Sequence, residues 1–488
     1  MKIFEKITQK TISINYNAVL FILTLSVYVY WTIANIHLRI PFFDEINAWN
    51  IAGNCTFREL FEVSKHEGHF ILWYMILKPF AINNVGFPYI MFLINWIFAF
   101  LSVLVLWFKS PFNSVIKMLI TFSLPIQMFS IYARCYSIGV LILFIICSIY
   151  KERIKHPIIY SLLIIFLANT SIVAAIPAFV LGILYIWELL TTSKNLNINK
   201  TKIILKTLSI FLFGVIIALV QVGNYTIPWY STDKSFLLFK FKELFTIAEY
   251  QPHNIVIISQ AILILFGFLF FTKDKIPYLF LISTSGILTF IALRIYVIAP
   301  WHFMFFFIFL VCAIWMYMQN NNLTKTIQKI YYIIFGILCF FSIFFFKPNW
   351  QWNGFHIPTT NYILEHKDYY ENSRIFMFPP DSSVIGIIPM LKDYNISFYD
   401  SKGNSYKFAQ AYIDLWNPKR IDFDGIKKEV LNNSDKFCDK NYIFIPIVEQ
   451  WKDNKNIFIL EEKENKNGLK FIPFEQTTDV IIYKIILN

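Results

Sequence analysis

The chain has 488 residues, of which 57% are apolar and only 15% charged, and its mean hydropathy is positive. Soluble domains run at about 45–50% apolar and about 25% charged, which excludes a disordered chain, a disulfide-stapled scaffold and an ordinary soluble enzyme and points to a polytopic helical membrane protein. The net charge of +12 is uneven: residues 352–488 hold 17 basic and 19 acidic side chains, residues 1–351 hold 26 and 12, so the basic excess follows the apolar part and does not form a nucleic-acid-binding face.

Lys2, Lys6 and Lys10 precede a first apolar run over about residues 16–36. That run is too long for the core of a signal peptide, and it reads as a retained anchor. Ten more runs follow, at about residues 87–108, 112–131, 134–150, 157–170, 172–191, 203–224, 253–272, 276–297, 299–319 and 328–347. A helix needs about 20 apolar residues to cross the hydrocarbon core, so the pattern predicts eleven spans, with the fifth short. The stretch Phe70–Ile82 is broken by Lys78-Pro79 and reads as an interfacial or re-entrant helix. With the N-terminus inside, the inner loops carry sixteen bases and four acids, against ten and eight in the outer segments up to residue 351. This is the asymmetry the positive-inside rule requires.

Three segments then face outward: a first loop at about residues 37–86, a loop at 225–252, and everything beyond Pro348. The tail predicts strands at Arg374–Phe378, Ile396–Tyr399, Tyr442–Ile447, Ile457–Leu460 and Val480–Ile486, hence a small α/β domain. Residues 1–350 and 351–488 are the expected domains. The six cysteines form no C-x-x-C and no Cys/His cluster. The tail has no Gly-rich nucleotide loop.

The chemistry-bearing residues gather in the outward segments. Asp44 and Glu45 lie just past the first span, among aromatic and aliphatic residues. Partial desolvation there makes a carboxylate a better base near neutral pH; the same pair also reads as a solvated cap of a juxtamembrane helix. Glu67 and His69 return to that side and can orient an acceptor, relay a proton, bind a divalent ion with Asp44, or belong to a plain polar loop. Arg134 and Tyr136 stand at the outer mouth of spans three and four, and Arg294 and His302 flank the turn between spans nine and ten. Guanidinium and imidazole groups at headgroup depth suit a phosphate. His302, beside Trp301, also reads as an interface-belt residue. Lys78 reads as a side chain snorkelling to headgroups.

The Asp44-Glu45 pair, Glu67-Gly68-His69 before Leu72-Trp73-Tyr74, and Arg134-Cys135-Tyr136 after span three resemble, in order and placement, the bacterial GT-C glycosyltransferases. These are the polytopic enzymes related to protein O-mannosyltransferases and the aminoarabinose transferase of lipid A. The resemblance implies a bacterial inner-membrane protein with a cytoplasmic N-terminus and an extracytoplasmic C-terminal domain. It implies transfer of a sugar from a polyprenyl-phosphate donor to an extracytoplasmic lipid, glycan or protein. Asp44 falls at the family's catalytic position and Glu45 at its second acidic one. The family's His-Pro-Pro is His69-Phe70-Ile71 here, and its Arg-His before the tenth span is Trp301-His302, with Arg294 the nearest guanidinium in sequence. The scheme has Asp44 as base with inversion, Arg134 with His302 or Arg294 holding the leaving phosphate, and room for a divalent ion near Asp44, Glu67 and His69. An oligosaccharide ligase or polymerase, or a flippase of lipid-linked glycans, is the alternative, and the nearly charge-free span centres weigh against the flippase.

Overall fold

A computed structural model describes residues 16–192 (except 40 and 68), 200–222 and 275–321 (except 295–299), with shorter stretches from residue 324 onward that include five strands. The described chain is mostly helical. Two compact units divide it: Met1–Leu38, Ile94–Ile216 and Thr226–Pro348 make the first, and Arg39–Leu93, Ile217–Tyr225 and Asn349–Asn488 the second.

The helices are α1 (Tyr16–Leu38), α2 (Phe43–Asn54), α3 (Phe57–Glu67), α4 (Leu72–Ala81), α5 (Tyr89–Lys109), α6 (Ser114–Thr121), α7 (Leu124–Ile131), α8 (Tyr136–Ser148), α9 (Pro157–Ala168), α10 (Ile172–Thr192), α11 (Lys200–Val222), α12 (Lys275–Arg294) and α13 (Pro300–Asn320). Among the described residues, α1, α5, α10 and α11 are long and apolar enough to cross a membrane, and α6 with α7 would make a fifth crossing if that bent pair is one span. This is compatible with a helical membrane protein, and the count covers the described residues alone, which leave out the expected runs at 253–272 and, for the most part, 328–347. The third expected run is broken by 50° between α6 and α7. Pro125 in the first turn of α7 cannot continue a preceding helix, and Ser123 sits at the break. The fourth and fifth runs fold as helices of 13 and 12 residues, about 20 and 18 Å long at 1.5 Å per residue. The run at 253–272 and the loop at 225–252 lie outside the described residues.

In the first unit, α13 is apolar all round and buried along most of its length. It packs on α7, α8, α10 and α12, as a core helix does. The faces of α1 and α11 are the reverse: Ile22, Leu23, Tyr30, Leu205, Leu212 and Phe213 are exposed. Exposed apolar surface on that scale marks a face made for lipid or for a partner.

In the second unit, α2 packs along α4. The contact is closed by Gly53, where a Cβ would fall 2.6 Å from the Ala81 carbonyl oxygen. The same unit holds a sheet ordered β2-β1-β3-β5-β4, from β1 (Arg374–Met377), β2 (Ser397–Tyr399), β3 (Asn441–Pro446), β4 (Leu469–Gln476) and β5 (Val480–Leu487). β1 pairs parallel with β2 and β3, and β5 pairs antiparallel with β3 and β4. β4 was not among the expected strands. It holds Pro473 at a register shift on the sheet's edge, where proline is tolerated because no inner ladder bond is lost. The expected strand at Ile457–Leu460 lies outside the described residues.

Candidate functional site

Two constellations carry the polar chemistry, one in each unit. The second unit's lies at the start of α2. Asp44 and Glu45 occupy its first turn, where carboxylates interact favourably with the unpaired N–H groups. Their environments differ. Glu45 is completely buried. Its carboxylate pairs with Arg39, and its Oε2 accepts from the backbone N–H of Phe42 at 2.6 Å. Arg39 also lies over the Phe92 ring, 4.6 Å from its centroid. Glu45 is therefore a structural anion that closes the turn into α2. Asp44, one residue earlier, is half-buried. Arg39 was not singled out from the sequence. The only signal is its position six residues before Glu45 across a proline-containing turn.

The far end of α2 is held as firmly. Lys78 Nζ donates to the Ala52 carbonyl at 3.1 Å and to that of Cys55. The ammonium thus caps the orphan carbonyls at the helix end and does not snorkel as expected. Trp49 Nε1 donates to Asn84 Oδ1 at 2.8 Å. At the same corner the Cys55 thiol is pushed up to about 12, chiefly by burial and then by the Glu59 carboxylate, with Lys78 opposing. His69 is buried at the turn into α4. Ile71 N–H nearby donates to Gln221 Oε1 at 2.8 Å, and Ser64 Oγ donates to the Gln221 carbonyl at 3.1 Å. The side chain of Glu67 lies outside the described residues. Among the described residues no group of three or more His, Cys, Asp or Glu gathers.

The first unit's constellation stands at the break between α7 and α8. Here the backbone leaves helical geometry at residues 132–135 while fully buried. Such a break in an apolar setting must satisfy its own polar groups. Asn95 does so: its amide donates to the carbonyls of Phe129 and Ser130 at 3.0 and 3.2 Å, and its Oδ1 accepts from Ser137 Oγ at 2.7 Å. The Ser130 hydroxyl in turn meets Tyr28 OH at 2.6 Å. Held at this break are Arg134, 4% exposed, and Tyr136, 1% exposed. Tyr136 OH lies 2.8 Å from His302 Nε2 on α13. Arg134 is close enough to His302 to act on it electrostatically. Tyr132 stacks on Tyr136 and packs against Trp301. The structure thus brings together Arg134, Tyr136 and His302. A guanidinium, a phenol and an imidazole offer directed donors to a phosphate-like anion. Arg294 closes α12, and its side chain lies outside the described residues.

No family model, no curated protein and no solved structure matches the chain.

Proposed function

We propose that this chain is a membrane glycosyltransferase that moves a sugar from a polyprenyl-phosphate donor to an extracytoplasmic lipid, glycan or protein. The observation that carries the reading is the division of the acidic pair. Glu45 is consumed by Arg39 and the Phe42 N–H, and this fixes the turn that presents half-buried Asp44. Asp44 takes the proton of the acceptor hydroxyl. The oxygen then forms a bond to the anomeric carbon as the bond from that carbon to the phosphate oxygen breaks. The electron pair leaves with polyprenyl phosphate, and the configuration inverts. Arg134, with His302 oriented by Tyr136, accommodates the leaving phosphate. A donor activated before it crosses the membrane explains a set of polar residues at apolar helix ends without a nucleotide-binding loop. The basic inner loops support a cytoplasmic N-terminus and an extracytoplasmic sheet.

The test supplies reconstituted protein with a panel of undecaprenyl-phosphate hexoses and pentoses and follows sugar release by mass spectrometry, alongside the envelope glycans of a deletion strain. Transfer from one donor, abolished in Asp44→Asn while Tm is kept, is the expected result. Undiminished transfer by Asp44→Asn, or no donor consumed and no glycan lost, overturns the reading.

A further inference from the structure

A separate cleft lies in the first unit, where α9 and α11 begin. It encloses about 560 Å³ and is lined by Ile158 of α9 and by Thr201, Lys202, Leu205, Lys206 and Ser209 of α11. The α11 residues recur at three- and four-residue steps and so share one helix face. Further along, a Cβ on Gly214 would fall 2.6 Å from Ile165 Cγ1, so the two helices touch there. Ile158 to Ile165 and Lys206 to Gly214 advance together, which makes the helices parallel. Their touching point floors a cleft that opens at their basic starts. Lys202 and Lys206, one turn apart, are both exposed, and neither forms an ion pair among the described residues. Below them, Leu205, Leu208, Leu212, Phe213, Val215 and Ile216 are exposed and apolar.

We infer that this cleft is a binding site for an anionic phospholipid. Its phosphodiester sits between Lys202 and Lys206, with the Thr201 hydroxyl as a neutral donor, since the Ser209 hydroxyl already donates to the Leu205 carbonyl at 2.9 Å, and its acyl chains lie along the exposed apolar face of α11. Charge complementarity selects the occupant. A zwitterionic headgroup would bring an ammonium to a rim that already carries two, and a soluble anion would leave the apolar wall uncovered. The inference does not depend on the transfer reaction. It requires only that α11 stands in a bilayer, and a basic groove between helix starts is where inner-leaflet acidic headgroups gather.

Native mass spectrometry of the full chain, released from detergent with equimolar dioleoyl phosphatidylglycerol and dioleoyl phosphatidylcholine, tests it. The wild type retains the anionic lipid at least tenfold more, and the preference falls as ammonium acetate concentration rises. Lys202→Gln with Lys206→Gln removes the preference, while Lys151→Gln with Lys155→Gln, on the neighbouring exposed loop, keeps it. Ile158→Trp, which fills the cleft without touching its charge, lowers retention of the anionic lipid severalfold and keeps the inference testable if the double lysine variant does not fold. Equal retention of both lipids, an unchanged preference in Lys202→Gln/Lys206→Gln, equal loss in the Lys151/Lys155 control, or full displacement by millimolar inorganic phosphate would each overturn it.

Discussion

The roles of the two neighbouring carboxylates separate cleanly by mutation. Arg39→Met removes the partner of a carboxylate that is 0% exposed. Breaking a buried pair from one side costs about 3–5 kcal/mol, because the remaining charge stays desolvated. Glu45→Gln keeps the volume and a hydrogen-bond acceptor for the Phe42 N–H but strands Arg39, so its cost falls near the lower end of that range. Replacing both, as Arg39→Met with Glu45→Met, removes charge from both sides, and burying two apolar side chains recovers stability to within about 1–2 kcal/mol of wild type. Asp44→Asn removes a first-turn charge and so changes stability by about 1 kcal/mol or less, and it slows transfer by about 10²–10⁴ if it removes a general base. Thermal unfolding in one detergent, read beside donor turnover, separates these outcomes. The single variants lose on the order of 5–10 °C in Tm, the double variant regains most of it, and Asp44→Asn keeps its Tm while losing turnover. A Glu45→Gln variant that unfolds at the wild-type temperature yet is inactive would refute the structural role, because Glu45 would then take part in the chemistry. A double variant as unstable as the worse single one would also refute it, because the pair would then not be the source of the cost.

Three further outcomes follow from the geometry. Gly53→Ala drives a Cβ to within 2.6 Å of the Ala81 carbonyl oxygen, a backbone atom that cannot yield. It should cost about 1–3 kcal/mol by unfolding and lower turnover by shifting α2. Tyr136→Phe removes the hydrogen bond to His302; a loss of about 0.5–1.5 kcal/mol and a higher KM for the donor at nearly unchanged kcat are expected, and an unchanged KM would detach Tyr136 from donor binding. Cys55, held protonated up to about 12 by burial, should resist iodoacetamide at pH 8 until the protein unfolds, read by peptide mass spectrometry. Its folded pKa lies above the ordinary thiol value near 8.5, so the associated stability is full below about that pH and is lost as the pH rises toward the folded value. Rapid labelling of the native protein at pH 8 would contradict the burial.

What the amino-acid order disclosed follows from the range of the forces involved. Apolar length is a local property, and the runs at 16–36, 87–108, 172–191 and 203–224 are helices within a few residues of their expected ends. The break in the run at 112–131 was legible in Pro125, had its effect on the preceding residues been weighed against the hydropathy. β4 was hidden because Lys470, Pro473 and Glu475 interrupt its pattern, and only an edge position permits that. The Tyr136–His302 contact spans 166 positions and the Arg39–Glu45 pair crosses a turn. Neither leaves a periodic trace, so the residue types were visible while their partners were not.

The acidic pair shows why adjacency in sequence is a poor guide to shared chemistry. Successive residues on a helix point about 100° apart and do not face each other. In a helix packed on one side, one of two neighbouring carboxylates must therefore turn toward the core when the other does not. The inward one stays charged only with a partner, and Arg39 supplies it. That pair also ties Glu45 to the Phe42 backbone, and Lys78 ties the other end of the same helix to α4. A general base gains most when its position is fixed before the acceptor arrives. Under the proposed transfer reaction, Glu45, Arg39 and Lys78 would act through the placement of Asp44. Their variants should lower kcat in step with the loosening of α2 and leave the pH dependence of turnover unchanged. Only a change at Asp44 should alter that pH dependence itself.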